Sequence, residues 1–117
     1  MADELFTIQQ EKSARVVELR FRPEMDALLM DGLLDAVAVE LDRAAGAGWV
    51  LDLSNVTYLN SAGLGMLVNI RQKVKQSRGK LAICGLSPRM MDLFKSCCLE
   101  RLFLIVKTRS QALAEVL

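Results

Sequence analysis

Three short apolar runs constrain this chain more than any other feature: "WVLDLS" at 49–54, "LAICG" at 81–85 and "LFLIV" at 102–106. Each is too short for a core helix and lacks the apolar/polar alternation of a half-exposed strand. The first two are of the sort buried on both faces, the usual condition of a parallel sheet, and the third reads as a last strand. A parallel sheet needs crossover connections, and the segments between the runs supply helical periodicity. Met30, Leu33, Leu34, Val37, Leu41 and Ala44 form one stripe, and Leu64, Leu67, Val68, Arg71 and Val74 follow another after Ser61. The expected architecture is a layered α/β domain with right-handed crossovers.

The remaining elements follow from punctuation. "LFTIQQ" and "RVVELRFR" alternate as two strands around a polar turn, with Val17, Leu19 and Phe21 on one face, and Pro23 ends the second. "GAG" at 46–48 ends the first helix. Ser87 and Pro88 stand as N-cap and first residue of a third helix expected to bury Met90 or Met91, Phe94 and Cys97. Thr108 and Gln111 have capping-box spacing ahead of a fourth helix. The order is β-β-α-β-α-β-α-β-α. The 117 residues are read as one domain, 1–117, large enough to bury a core without staples.

Composition excludes several functions. With 15 basic and 14 acidic residues the net charge is +1, which gives no electrostatic basis for nucleic-acid or membrane binding. The chain has no histidine, which removes Ser-His and Cys-His nucleophile pairs and imidazole metal sites. An enzyme is not expected, nor any cofactor or metal. The acidic start "MADELFTIQQ" is unlike a secretory signal, and no apolar run reaches membrane-spanning length. Cys84, Cys97 and Cys98, an odd count, suit a reduced cytoplasmic protein better than a disulfide framework, and of the adjacent pair one core and one surface thiol are expected. The basic stretch Arg71, Lys73, Lys75, Arg78 and Lys80 reads mostly as a solvated helix end.

The functional question centres on "NSAGLG", residues 60–65. Ser61 is a candidate N-cap, with Asn60 able to serve one position earlier. A cap leaves Gly63 and Gly65 unexplained, since each costs about 1 kcal/mol relative to alanine inside a helix. Close internal packing and an exposed docking surface around the serine hydroxyl are both open. The segment lacks the spacing of a dinucleotide fingerprint or a P-loop. On the docking reading the first turn, Ser61 to Gly65, is exposed, with Tyr58 and Leu59 beside it.

Three stretches, "RPEMDA", "VLDLSNVTYLNSAGLGML" and "LAICGLSPRMMDLFKSCCLERLF", together resemble a STAS domain of the kind found in bacterial anti-sigma factor antagonists. The resemblance spans nearly the whole chain, and the middle stretch is the most diagnostic. It implies a mixed, largely parallel sheet with about four helices mainly on one side. It also implies a regulatory binding protein without catalysis, whose motif serine is phosphorylated by a kinase-type anti-sigma factor using its own ATP and Mg²⁺. By position the phosphoacceptor is Ser61, and the partner-binding residues are Asp26, Tyr58, Leu59, Asn60, Ala62, Gly63 and Leu64. The expected partners are the anti-sigma factor serine kinase and a PP2C-type phosphatase, for a monomer or weak dimer in the cytoplasm. Asn60 stands where the family has aspartate, keeping the shape without the charge. Some STAS domains instead act as non-cycling scaffolds in stress-signalling assemblies or as subunits of lipid-transport complexes, the alternative role.

Overall fold

The structure, a computed structural model, describes residues 6–20 and 27–117, with side chains of the first helix described from Met30 onward. Asp26, Phe21 and Pro23 therefore lie outside the described residues. The elements follow the expected order: β1 (Phe6–Glu11), β2 (Ala14–Leu19), α1 (Ala27–Arg43), β3 (Trp49–Asp52), α2 (Ser61–Gln76), β4 (Leu81–Cys84), α3 (Pro88–Ser96), β5 (Leu104–Val106) and α4 (Arg109–Val116). A single 3₁₀ turn at Leu99–Arg101 joins α3 to β5.

The five strands lie side by side in chain order, β1-β2-β3-β4-β5. β1 and β2 pair antiparallel across a two-residue turn, with Glu11 opposite Ala14, while β2 through β5 run parallel. Crossovers that always step to the next strand with one handedness put their helices on one face. The packing agrees: α1, α2 and α3 cover Val17, Leu19, Leu51, Leu53 and Ile83 with Met30, Leu33, Val37, Leu67, Ile70, Met90 and Phe94. The strand period of two sends Val16, Val50, Ala82 and Cys84 to the opposite face. There α4 covers them with Ala112 and Val116, so three helices lie on one side and one on the other.

Both expected caps form. Ser87 accepts from the Met90 N–H at 3.1 Å, and Thr108 with Gln111 makes a reciprocal capping box. The placement of the cysteines differs from expectation. α3 ends at Ser96, so Cys97 becomes its C-cap and Cys98 adopts a left-handed φ of 59°. The chain has left the helical stripe by then, and both thiols are exposed; the core thiol is Cys84.

Candidate functional site

In parallel sheets the connections beyond the carboxyl ends of the strands are where sites assemble. Residues 53–60 occupy that position after β3. Backbone bonds tie the segment down, with the Leu53 N–H donating to the Cys84 carbonyl and the Val56 N–H to the Leu53 carbonyl, both at 3.0 Å. Leu53, Val56 and Leu59 plug into the core, while Ser54, Asn55, Thr57, Tyr58 and Asn60 face outward. An irregular loop is thus held at three apolar points.

Asn60, not Ser61, caps α2. Its Oδ1 accepts from the Gly63 N–H at 2.8 Å, and the Leu64 N–H donates to its carbonyl at 3.0 Å. The reason is the backbone of Asn60, extended at φ −83° and ψ 178° as an N-cap requires. Ser61 becomes the first helical residue, exposed, and among the described residues its side chain has no hydrogen-bond partner. The first turn of α2 contains no acidic residue, so no side chain of that turn offsets the positive end of the helix dipole.

The two glycines have different reasons. A Cβ at Gly63 would come within 2.9 Å of Leu59 Cδ2, so this glycine lets a buried loop anchor pack against the helix. A Cβ at Gly65 would meet nothing within 4 Å. Ser61, Ala62 and Gly65 are all exposed and lie along one strip of the helix, bare of long side chains. Exposure thus holds for Tyr58, Asn60, Ser61, Ala62 and Gly65 but not for Leu59, Gly63 and Leu64. Gly63 and Leu64 turn inward because helical spacing places them on the core side with Leu67, and Leu59, ahead of the helix, is one of the loop's core anchors.

Two features of this end of the sheet were not singled out from sequence. Arg89, near the start of α3, sits over the Tyr58 ring with its guanidinium carbon 5.4 Å from the centroid. A cation over an aromatic face is attractive, and here it links the 53–60 segment to α3. Asp52, at the end of β3, is buried at 7 % exposure on the α4 face. It accepts from the Ser54 hydroxyl and, at 3.0 Å, from the Ser54 N–H. It also accepts from Arg109, the first residue of α4, at 2.7 Å through Nη2.

Arg109 reaches Glu18 at 3.1 Å and Glu11 at 3.4 Å as well, tying α4 to three strands. Burial by itself would raise the Asp52 pKa, but the Ser54 and Arg109 bonds outweigh it and hold the carboxyl below its ordinary value. The same pairing with Asp52, and then Glu18, raises the Arg109 pKa. Burial and the Asp52 charge push the neighbouring Cys84 thiol up to about 11. A lone carboxylate inside "WVLDLS" was the available signal for this knot; its partner, 57 residues away, left none.

Among the described residues no group of three or more His, Cys, Asp or Glu side chains is placed to hold a metal ion. Nor is any helix among them long and apolar enough to cross a membrane.

Comparison with known proteins agrees with this geometry. The family model described as "STAS domain" matches residues 7–112. The chain is 25% identical over 109 residues to the anti-sigma F factor antagonist of Paenibacillus polymyxa, covering 93% of each chain. It is 31% identical to BtrV of Bordetella bronchiseptica over 65 residues, 56% of each chain. Among solved structures, the Bacillus cell fate determinant SpoIIAA in its phosphorylated form superposes with a TM-score of 0.70, at 15% identity over 94% of this chain and 97% of that one. The same five-stranded mixed sheet, the same helix order and a family match over most of its length leave one assignment: the chain belongs to the STAS domain family.

Proposed function

We propose that the protein is an anti-sigma factor antagonist that binds a kinase-type anti-sigma factor, releases its sigma factor, and is switched by phosphorylation of Ser61. The observation that carries the reading is the exposed Ser61 hydroxyl, relieved of capping by Asn60 and bordered by Ala62 and Gly65. A hydroxyl on a bare helical turn can be approached by a second protein's active site without moving a side chain. Tyr58 and Arg89 flank the same end of the sheet as contacts for that partner, and Asp26, Leu59, Gly63 and Leu64 complete the set. Leu59, Gly63 and Leu64 act by shaping the surface from beneath.

In the switching step the Ser61 oxygen attacks the γ-phosphorus of the partner's ATP. The bond to the bridging oxygen breaks, ADP leaves, and the serine proton passes to a base of the kinase. The product carries an added charge of about −1.5 to −2. At the N-terminus of α2 the fold tolerates that charge through the helix dipole. An interface closed over a neutral hydroxyl does not, because a desolvated, unpaired phosphate opposes several kcal/mol of binding. Hydrolysis by a PP2C-type phosphatase resets the surface. The protein itself supplies no catalytic group and no cofactor in this scheme, and acts as one STAS unit in the bacterial cytoplasm.

Incubation with the kinase-type anti-sigma factor of the same organism and labelled ATP tests the proposal. Expected is about one phosphate per chain, abolished in Ser61→Ala, with the phosphorylated form binding the kinase at least about tenfold more weakly. No transfer, or transfer that persists in Ser61→Ala, refutes it. The neutral Asn60 favours one other reading: a partner that requires a negative charge before the serine would ignore Ser61, leaving a non-cycling scaffold or subunit.

A further inference from the structure

A second surface lies at the opposite end of α2. Arg71, Lys75 and Lys80, with Leu102, Leu104 and Glu115, line a cavity of about 370 Å³ at the starts of β4 and β5. Among the described residues β5 is an outer strand, hydrogen-bonded to β4 on one side only, and the backbone groups of Leu104–Val106 on the other side have no strand partner there. Beside this open edge Leu102 and Leu104 are 39% and 45% exposed, two of the few large apolar side chains left in solvent. An unprotected strand edge with exposed apolar residues is a template for adding a strand.

Charge narrows the occupant. Among the described residues neither Lys75 nor Lys80 has an ion-pair partner. Arg71 spends its Nε–H on the neutral Leu102 carbonyl at 2.6 Å, and it too has no ion-pair partner among the described residues. Three cations against the single carboxylate of Glu115 favour a negatively charged guest. Ser61 lies fourteen residues up the helix from Lys75, about 21 Å along the axis. The two surfaces can be occupied at once.

We propose that the β5 edge receives an extended acidic segment of a partner protein, its backbone continuing the sheet beyond β5. Its apolar side chains pack on Leu102 and Leu104, and its carboxylates face Arg71, Lys75 and Lys80. The inference does not depend on phosphorylation of Ser61.

The probe is a fluorescein-labelled peptide of about ten residues alternating valine or leucine with glutamate, followed by anisotropy. Binding should weaken at least about fivefold in the K75E/K80E variant and on raising salt from about 50 to about 500 mM. A control peptide with proline at alternate positions, unable to donate ladder hydrogen bonds, should not bind. Hydrogen exchange should show new protection at Leu104–Val106. Both lysines are exposed, so the variant should fold; Lys80→Gln, with a smaller loss, checks the charge effect independently.

The proposal is overturned by equal binding of the proline peptide, or by affinity indifferent to K75E/K80E and K80Q. Protection confined to the Ser61 end, or preferential binding of single-stranded oligothymidine, overturns it as well. So does a self-association that Leu104→Lys abolishes, since the edge would then belong to a second copy of the chain.

Discussion

Replacing Gly65 by alanine should stabilise the protein, whereas the same change two residues earlier should destabilise it. Both glycines lie in α2, where alanine is favoured by up to about 1 kcal/mol and somewhat less in the first turn. At Gly65 nothing lies within 4 Å of the added methyl, so the propensity gain is kept. At Gly63 the methyl would sit 2.9 Å from Leu59 Cδ2, and Leu59 is only 3 % exposed. Its displacement inside a packed core costs about 1–3 kcal/mol, which exceeds the gain. Unfolding a chain of 117 residues carries an entropy of roughly 0.25 kcal/mol/K, so 1 kcal/mol is about 4 °C in Tm.

Gly65→Ala should therefore raise Tm by about 3–4 °C, and Gly63→Ala should lower it by a similar amount. Thermal and urea unfolding followed by circular dichroism measure both. Equal effects of the two substitutions would refute the distinction between a packing glycine and a surface one. The larger Gly65→Gln carries the functional half: it should keep the stability gain yet weaken binding of the proposed partner, a kinase-type anti-sigma factor, about tenfold or more, as a side chain rises through the bare strip. Undiminished binding of Gly65→Gln would leave that glycine without a role in docking.

Asn60→Ala should cost about 0.5–2 kcal/mol through the lost cap, while Asn60→Asp keeps the cap and gains about 0.3–1 kcal/mol from the helix dipole; urea midpoints decide both. Arg109→Met strips the buried Asp52 carboxylate of its cation and should cost about 1–3 kcal/mol in the same assay. Because the folded Asp52 pKa lies below its unfolded value of about 3.9, its contribution is complete above that value and lost as pH falls through the folded one. Asp52→Asn should therefore flatten the fall in stability below about pH 4 relative to wild type. A thiol reagent near pH 8 should label the exposed Cys97 and Cys98 of the native protein readily, and Cys84, buried and raised to about 11, only on unfolding. Rapid labelling of all three would contradict the packing of α4 over β4.

Most of the fold was legible because its signals are local. The apolar runs of β3 and β4, the helical stripes of α1 and α2, and the caps Ser87 and Thr108 each work within a few residues. The serine motif was legible for the same reason, as an unbroken stretch. What tertiary structure decided involves residues far apart or differences of one position. Periodicity could not say that α4 would cross to the other face and cover Cys84, since its stripe, Ala112 and Val116, suits either side. Nor could it say which of Asn60 and Ser61 caps α2, because both side chains can accept the bond and only the backbone turn selects one. Cys97 kept the helical spacing, but α3 stopped just before it. Gly63 and Gly65 are the same letter two places apart: one answers to Leu59 in the core and the other to open space, a difference that exists only once the helix is seated on the sheet.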